Sequence, residues 1–460
     1  MTRPTKTAAA GIVVLLLSPL SVRPTLQEPP PDDSGVVMAL LRRAKFDEAR
    51  DAALRLRERL PASADVRALS GDALWGAGLF DEAEDEFDAA LAIDPDHPRA
   101  RDGRARALAA RGQLQHALDE AIAATRLSPS TPDFHHTLAA VYERLNRYDE
   151  AAAALETYAN LLPPAEKSAW AMARVKFLRS FERQTPLDFG DRTGPFTVPV
   201  RIVGNKVLVR GRVNGGTPVD FVLDTGSEQV VLSGRVAARA GVRPVTYVQS
   251  AGVGQAGMRP LQAARVNSLQ VGSMHVRNVP VLIKSPGLPD VPGQEADTFS
   301  PLALGLSMVL DYERRELTLA PMLPEEPFDI TLPLRMHRLA MVRGTAGGRA
   351  ASFVVDTGGE AISLSTRTAE AIERVPGVRH VPLRVWGSSG WDPTAFLLPY
   401  VDLAFADIGQ PNTSVIVLDL DAPSALLGFK IGGIIGHRFL RDYRVTIDLP
   451  RARVGLVARR

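Results

Sequence analysis

Two aspartates, each followed by Thr-Gly, lie 132 positions apart in nearly identical segments. The segments are Phe221–Ser233 (FVLDTGSEQVVLS) and Phe353–Ser365 (FVVDTGGEAISLS), which agree at eight of thirteen positions. Two carboxyl groups about 3 Å apart cannot both ionise, so such a pair shares one proton. The ionised member can draw a proton from water while the protonated member polarises a carbonyl group. Asp224 and Asp356 are therefore the candidate catalytic residues.

Each Asp-Thr-Gly triplet ends an apolar run typical of a strand and is followed by a second apolar run. A short helix is predicted after each second run, over Arg235–Ala240 in one copy and Thr366–Val375 in the other. A single triplet occurs by chance in long chains, but two copies in the same setting indicate a duplicated unit. The alternative is that both aspartates are ordinary turn residues.

The duplicated segments resemble the active-site loops of retropepsin-like aspartic peptidases, especially the bacterial exported forms, and the resemblance covers about residues 196–458. It implies two all-β, acid-protease-like lobes, which we place at residues 195–322 and 327–460, around the proline- and acid-rich stretch Pro321–Pro327. It also implies an aspartic endopeptidase that hydrolyses bonds in a peptide or protein substrate. The water would be activated between the two carboxyl groups, and no cofactor or metal ion would be needed.

The same resemblance gives supporting roles to the residues after each aspartate. Thr225 and Thr357 are expected to link the two loops through hydrogen bonds between hydroxyl and backbone groups. Gly226 and Gly358 permit the tight turn and the close approach of the opposite loop.

The fourth position of the loop differs between the two copies, being Ser227 in the first and Gly359 in the second. A serine hydroxyl can donate a hydrogen bond to the neighbouring carboxylate from outside the pair, whereas glycine has no side chain to do so. We therefore expect an asymmetric pair.

Each lobe of the family also has a late apolar-apolar-Gly strand that braces its loop. The second lobe has this triplet at Ile434, Ile435 and Gly436. The first lobe keeps a similar ending at Val309–Tyr312 but has no such triplet at the corresponding distance before it. We therefore expect the first loop to be held less tightly than the second.

Two glycine-rich segments between the loops and the late strands are predicted to form flaps, the hairpins that exclude water from a closed site. They are residues 250–257 (SAGVGQAG) and 386–391 (WGSSGW). The glycines are Gly252 and Gly254 in the first segment and Gly387 and Gly390 in the second. Trp391 either packs over the substrate or belongs to the core.

A 34-residue period precedes the predicted lobes. It is kept by four alanines, four prolines and four aromatic or leucine residues: Ala49, Ala83, Ala117, Ala151; Pro61, Pro95, Pro129, Pro163; Phe46, Phe80, Leu114, Tyr148. A unit of this length, with a small residue where helices touch and a proline that closes the second helix, resembles the tetratricopeptide repeat. The match covers about residues 30–163 in four units.

The period predicts an all-α tetratricopeptide-repeat solenoid over residues 35–184, ending in a capping helix within Ala165–Arg183. The concave face of such an array is expected to bind a protein or peptide partner. The alternative is that the array is only a spacer. The predicted fold class is thus multidomain, with an all-α solenoid followed by two all-β lobes.

Residues 1–25 predict a signal peptide, because Arg3 and Lys6 precede the apolar run Ala8–Leu17. The run is shorter than a typical membrane span and no small-x-small cleavage site follows it, so an uncleaved N-terminal membrane anchor is the alternative. A proline- and acid-rich linker is predicted at residues 26–34. We therefore expect an exported protein, either periplasmic or extracellular.

Composition excludes several classes of function. The 460-residue chain has a formal net charge of only +2, which gives no broad electrostatic surface for nucleic acid. It has no cysteine, which rules out disulfides, thiol catalysis and cysteine-ligated metal ions. Its eight histidines lack the spacing of metal ligands, so no metal site is predicted.

Two assemblies and one non-enzymatic function remain open at this point. In the first assembly, a monomer pairs its two lobes as a pseudo-dimer around Asp224 and Asp356, as the duplication favours. In the second, a lobe pairs with its twin from another chain. The non-enzymatic alternative is an exported scaffold whose peptidase fold has lost its activity, and Gly359 and the missing glycine brace are the features that favour it.

Overall fold

The structure is a computed structural model that describes residues 33–163, 169–192, 194–288, 295–372 and 379–459. The predicted signal or anchor segment and most of the predicted linker lie outside these residues. The first helix begins at Asp33, so the last two residues of the predicted linker are helical. In the described part of the chain, no helix is long and apolar enough to cross a bilayer.

Eight helices at the start of the described chain form four antiparallel pairs. They are α1 (Asp33–Arg42), α2 (Phe46–Arg59), α3 (Ala64–Gly76), α4 (Phe80–Ile93), α5 (Pro98–Ala110), α6 (Leu114–Leu127), α7 (Pro132–Arg144) and α8 (Tyr148–Leu161). The second helix of each pair ends two residues before a repeated proline, because proline lacks an N–H group and disfavours helix in the residue before it. The ninth helix, α9 (Ala169–Arg179), packs on α8 as the predicted cap, and the start of that prediction lies outside the described residues.

The array curves toward the first helix of each pair. Helices α1, α3, α5 and α7 contact one another in succession, so they line the inner, concave side.

Close packing of the helices in the array depends on small residues. A Cβ atom on Gly71 or Gly103 would collide with the ring of Phe87, which is fully buried between their helices.

The rest of the chain is rich in β-strands and divides into two halves. The first β half consists of β1 (Phe196–Val203), β2 (Lys206–Val213), β3 (Val219–Leu223), β4 (Val230–Ser233), α10 (Gly234–Arg239), β5 (Pro244–Ala251), β6 (Met258–Val271), β7 (Met274–Lys284), β8 (Asp297–Phe299), β9 (Ser307–Asp311) and β10 (Glu316–Ala320). The prediction of a helical repeat array followed by β-rich structure is therefore confirmed.

The second β half contains one additional hairpin and one additional short helix, and it has an α-helix where the first half has a 3₁₀ helix at Leu302–Leu304. It consists of β11 (Ile330–His337), β12 (Leu339–Ala346), β13 (Arg349–Val355), β14 (Ser363–Ser365), α11 (Thr366–Ala371), β15 (Val381–Pro382), β16 (Val385–Gly387), β17 (Gly390–Asp392), β18 (Phe396–Phe405), β19 (Ile408–Leu418), α12 (Asp421–Leu427), β20 (Gly433–Ile435), α13 (His437–Leu440), β21 (Tyr443–Asp448) and β22 (Arg453–Ala458). The helix predicted over Thr366–Val375 ends at Ala371, and its last predicted residues lie outside the described part of the chain.

The two β halves repeat one pattern of strand pairing. Strand β3 runs parallel to β8, and β13 runs parallel to β20. Strand β4 is likewise parallel to β7, as β14 is to β19. These registers equate Phe221 with Phe353 and Phe299 with Ile435. The duplication seen in the sequence therefore extends to the pairing of the strands.

One antiparallel sheet joins the halves, in the strand order β1-β10-β9-β21-β22-β11. Each half supplies three strands, and β9 pairs with β21 at the centre through Met308–Leu310 and Val445–Ile447. A continuous apolar core runs through both halves. Because shared hydrogen bonds and a shared core fix the halves together, the loops that they carry have fixed relative positions.

The repeat array packs against the second β half through a mixed apolar cluster. Trp75 and Phe80 of the array lie in it beside Phe429, whose ring is 5.2 Å from that of Phe80. The turn between β11 and β12 approaches the concave side, where the ring of His337 is 5.2 Å from that of Trp75. Arg144 donates a hydrogen bond of 3.1 Å to the carbonyl of Met336 in the same hairpin. Part of the concave face is thus covered by the chain's own hairpin.

The end of the array packs against the first β half. Phe177 and Phe181, within and just after α9, share an apolar cluster with Ala263 of β6 and with Val245 and Val248 of β5. Strands β5 and β6 form the hairpin that carries the first predicted flap. The repeat array therefore contacts both β halves.

Candidate active site

Each candidate aspartate follows the last residue of a central strand and is braced by the parallel strand beside it. The backbone N–H of Asp224 donates to the carbonyl of Phe299 at 2.9 Å, and that of Asp356 donates to the carbonyl of Ile435 at 3.0 Å. The register places Ser300 where the second half has Gly436. Our expectation that the first loop is held less tightly is wrong for the backbone, because the bracing bond does not depend on a glycine.

The two threonines make the reciprocal hydrogen bonds that the resemblance implied. Thr225 N–H donates to Thr357 Oγ1 at 3.2 Å, and Thr357 N–H donates to Thr225 Oγ1 at 3.0 Å. The hydroxyl of Thr225 donates to the carbonyl of Val355, and that of Thr357 to the carbonyl of Leu223, at 2.6 and 2.8 Å. Both threonines are buried. Four hydrogen bonds therefore lock one loop against the other.

The carboxyl groups face each other across the glycines of the loops. A Cβ atom on Gly226 would lie 2.5 Å from Cγ of Asp356, and one on Gly358 would lie 2.7 Å from Cγ of Asp224. Each carboxyl group therefore occupies the space that a side chain at the opposite glycine would need. This close approach is the reason for glycine at both positions.

The environment of Asp224 favours its protonated form. Burial raises the pKa of Asp224 most, and the carboxyl group of Asp356 adds to it by charge repulsion and by a hydrogen bond between the two groups. The ammonium group of Lys206 and the N–H of Gly226 act in the opposite direction and lower this pKa in part. The net shift is upward, so Asp224 keeps its proton at pH values where an ordinary aspartic acid has lost it.

Backbone donors give the pair a second asymmetry. Asp356 Oδ1 accepts hydrogen bonds from the N–H groups of Gly358 at 2.7 Å and Gly359 at 2.9 Å, whereas Asp224 Oδ1 accepts one from Gly226 at 3.0 Å. N–H donors stabilise the ionised form of a carboxyl group. These donors act in the same direction as the raised pKa of Asp224, which favours the shared proton on Asp224.

The role expected for the fourth loop position is corrected by this geometry. The hydroxyl of Ser227 donates to the carbonyl of Gln229 at 2.8 Å rather than to a carboxylate. Gly359 contributes through its backbone, and a Cβ atom there would lie 2.8 Å from Asp356 Oδ2. The pair is asymmetric, but the additional donor belongs to the loop with glycine.

Polar and charged residues from the first hairpin of each half reach the loop of the other half, and sequence reasoning missed them. Arg338 Nε donates to Glu228 Oε2 at 2.6 Å, and Asn205 Nδ2 donates to Glu360 Oε1, also at 2.6 Å. Lys206 donates from its ammonium group to the carbonyl oxygen of Gly358. A signal was present in the sequence, because a glutamate occupies the fifth position of both loops.

The two predicted flap segments are hairpin tips that meet each other. The N–H of Gln255 donates to the carbonyl of Trp391 at 2.7 Å, and the N–H of Ser389 donates to the carbonyl of Val253 at 2.8 Å. Gly254 lies in the left-handed region with φ of 131°.

The predicted glycines lie at the contact between the two tips. A Cβ atom on Gly252 would collide with Ser388, one on Gly254 with Ser389 and Gly390, and one on Gly387 with Val253. Trp391 is half-buried, and its ring packs edge-on against Trp386 at 4.9 Å. Among the described residues, no group of histidines and carboxylates is arranged to hold a metal ion.

Comparisons with known proteins agree with both parts of the chain. Residues 209–307, which include Asp224, match the family model described as aspartyl protease. Residues 37–98 and 103–166 match the model described as tetratricopeptide repeat.

Two similar curated proteins come from Arabidopsis thaliana. TPR repeat-containing thioredoxin TTL4 is 37% identical over 82 residues, and inactive TPR repeat-containing thioredoxin TTL3 is 36% identical over 81 residues. Each match covers 18% of this chain and only 12% of the relative's length. The chain has no cysteine and so has no residue for thiol redox chemistry.

Among solved structures, the thermophilic TPR protein TTC0263 of Thermus thermophilus is 20% identical, with a TM-score of 0.29, over 33% of this chain and 82% of its own. MamA from Desulfovibrio magneticus RS-1 is 19% identical, with a TM-score of 0.26, over 32% of this chain and 85% of its own. With the family models and the helix pairs taken together, the chain carries tetratricopeptide repeats followed by an aspartyl protease domain.

Proposed function

We propose that this protein is an aspartic endopeptidase of the retropepsin-like type, in which the two β halves are tandem lobes of one active enzyme. The observation that carries the proposal is the closed set of hydrogen bonds between Thr225 and Thr357, with the two aspartate carboxyl groups against the opposite glycines. Turn aspartates would have no need of this arrangement. A pair of carboxyl groups that shares one proton is the chemical requirement for water-mediated peptide hydrolysis.

The asymmetry of the pair assigns a role to each carboxyl group. Asp356, as the ionised member, accepts a proton from water while the water oxygen attacks the carbonyl carbon of the scissile peptide bond. Asp224 donates its proton to the carbonyl oxygen, which gives a neutral gem-diol. Asp356 then passes the captured proton to the leaving nitrogen, the C–N bond breaks, and a diol proton returns to Asp224. The starting protonation state is restored at the end of each cycle.

The two contacting hairpins are suited to close over such a pair. A lid that excludes water strengthens electrostatic interactions inside a site and suppresses unproductive reactions. Among the described residues, four hydrogen bonds join the two tips, so the tips can separate to admit a peptide and then close again. In this proposal residues 250–257 and 386–391 are the two flaps.

The shared six-stranded sheet favours an active monomer over a dimer of chains. Because each half supplies three strands to one sheet and part of one core, a single chain has both partners that the pair needs. The measurement is size-exclusion chromatography with light scattering on the active protein. A monomer is expected, and activity found only in a dimer would contradict this assembly.

The features that favoured a scaffold without activity do not weaken the site. The loop that lacks a glycine brace has the same backbone hydrogen bond as the other loop, and Gly359 adds a donor to Asp356.

We also propose export, on the basis of the apolar segment within residues 1–25, and a protein or peptide partner for the concave surface that the hairpin leaves free. Fractionation of cells that produce the chain with and without residues 1–25 tests export. Loss of the exported fraction in the shortened chain is the expected result.

The catalytic proposal is tested by two substitutions, Asp224→Asn and Asp356→Asn, assayed on a peptide library from acidic to neutral pH. Both are expected to lower kcat/KM by at least about a thousandfold, because neither an amide nor the remaining carboxyl group can complete the proton transfers. The control is Asp220→Asn, the same change at an exposed position on β3. A wild-type protein that cleaves nothing, or Asn variants that retain full activity, would refute the proposal.

A further inference from the structure

Lys206, the first residue of β2, lies at the aspartate pair although it comes from the hairpin that precedes the first loop. The residue is half-buried, and its ammonium group donates to the carbonyl oxygen of Gly358 in the loop of the other half. The carbonyl of Gly358 and the N–H of Gly359 belong to one peptide unit; that N–H donates to Asp356 Oδ1 at 2.9 Å, and the Cα of Gly358 faces the carboxyl group of Asp224. Lys206 therefore holds the peptide unit that contacts both carboxyl groups.

The second β half has no cation at the corresponding position. Val209 pairs with Phe221 in the first half, and Val342 pairs with the equivalent Phe353 in the second. Counting back three residues along each strand equates Lys206 with Leu339. Leu339 is buried in the apolar cluster between the second half and the repeat array. The lysine is thus a feature of one side of the pair.

The charge of Lys206 is directed at the pair rather than at another acid. In the described residues, Lys206 forms no ion pair with a carboxylate within 4.0 Å. Its charge lowers the pKa of Asp224 in part. Charged groups around the pair include Lys284, which interacts with Asp224 from β7, and Glu360, which pairs with Arg438 and acts on His437 together with Lys206. Burial and then nearby cations lower the pKa of His437, so its imidazole is neutral at neutral pH.

We propose that Lys206 is a positioning residue of the aspartate pair: it fixes the Gly358 peptide unit and keeps one negative charge on the two carboxyl groups. The proposal rests on the peptidase function proposed above. A positive charge beside two carboxyl groups that share a proton favours the loss of the first proton and, in the same direction, of the second. Both limbs of a bell-shaped pH profile therefore lie at lower pH with the lysine than without it.

The test separates the charge of Lys206 from its hydrogen bond. Lys206→Gln keeps a donor for the Gly358 carbonyl without the charge, Lys206→Met removes both, and Lys206→Arg keeps both. The control is Lys176→Gln, the same change at an exposed position on α9. The measurement is the pH profile of kcat/KM on one cleaved peptide, which reports the ionisations of the free enzyme.

We expect both limbs to move to higher pH by about one unit in Lys206→Gln and Lys206→Met, and to stay in place in Lys206→Arg and in the control. A loss of activity by the same factor at every pH in Lys206→Gln, with unmoved limbs, would show a purely structural role and overturn the proposal. Lys206→Gln decides the matter if Lys206→Met does not fold.

A second measurement keeps the two proposals distinguishable. NMR titration of the ¹³C-labelled aspartate carboxyl carbons reports the ionisation of the pair without catalysis. If wild-type protein cleaves no peptide, the peptidase proposal fails, while a higher titration midpoint of the pair in Lys206→Gln than in wild type still supports Lys206 as the charge-setting residue. Identical midpoints in the two proteins would refute it.

Discussion

At the scale of single residues, backbone N–H groups of the loops add to the asymmetry between the two carboxyl groups. Asp356 accepts from two loop N–H groups and Asp224 from one, and Gly359 supplies the difference. The hydroxyl of Ser227 takes no part, because it is bound to the carbonyl of Gln229. The two residues at the fourth loop position should therefore respond differently to the same change, a substitution to alanine.

We predict that Gly359→Ala impairs the pair and that Ser227→Ala does not. A Cβ atom at position 359 would lie 2.8 Å from Asp356 Oδ2, so the carboxylate or the loop must shift and at least one charged hydrogen bond weakens. Such a bond contributes about 1.5–3 kcal/mol, so the acidic limb of the pH profile should rise by about one to two units. The measurement is kcat/KM against pH for both variants. If the acidic limb of the pH profile stays in place in Gly359→Ala and moves in Ser227→Ala, the expectation from the sequence that Ser227 donates to the carboxylate would be restored.

The residues of the site differed in how far the sequence could predict them. The aspartates, threonines and first glycines of the loops were predicted because one short motif occurs twice. Lys206 and Arg338 were missed because each reaches the loop of the opposite half, and no local pattern encodes a contact between hairpins far apart in sequence. The hydroxyl of Ser227 could donate either to a carboxylate or to a nearby carbonyl, and sequence alone does not decide which acceptor it uses.

At the scale of elements, bracing of the loops is a property of backbone pairing. The sequence pattern apolar-apolar-Gly identified the late strand of the second half but indicated no equivalent in the first. The structure has an equivalent at β8, with Ser300 in the position of Gly436, because the hydrogen bond from Asp224 uses the carbonyl of Phe299. A pattern of side chains therefore underestimates the similarity of two strands when main-chain atoms make the hydrogen bonds that matter.

The contact between the two hairpin tips leads to a prediction about closure. Gly254→Ala should hold the tips apart, because its φ of 131° is unfavourable for alanine and a Cβ atom would collide with the backbone of Ser389. We expect kcat/KM to fall about tenfold and the tips to become more susceptible to limited proteolysis, with little change in the midpoint of global unfolding.

The control for this prediction is Gly409→Ala. Gly409 lies in β19, is exposed, and would place a Cβ atom in open space. Its substitution should leave kinetics and proteolysis unchanged. If Gly254→Ala has wild-type kinetics and wild-type proteolytic resistance, the tip contact has no part in catalysis.

At the scale of the whole molecule, the repeat array packs against both β halves rather than being joined to them by the chain alone. The sequence predicted the array and a partner for its concave face. It did not indicate that part of this face is covered by the β11–β12 hairpin, because Trp75 and His337 are aromatic residues with no pairing signal in sequence. The same hairpin carries Arg338, which binds Glu228 beside the first loop. The array thus supports an element that contacts the first aspartate loop.

This arrangement predicts that the repeats and the β halves unfold together. Phe429 is fully buried, and its ring packs 5.2 Å from Phe80 of the array and 5.3 Å from His337 of the hairpin. Phe429→Ala removes the ring from both contacts and should cost about 3–5 kcal/mol of unfolding free energy. The control is Leu60→Ala, at a residue that is 51% exposed.

The measurement follows helical circular dichroism and peptidase activity along one urea titration. Because a single apolar cluster joins the two parts, both signals should be lost in one transition, and in Phe429→Ala that transition should move to lower urea by the same amount for both. If the helical signal keeps its wild-type midpoint while activity is lost earlier, the array folds independently. The β11–β12 hairpin would then not be held by the repeats in solution, and the concave face would be free to bind a partner.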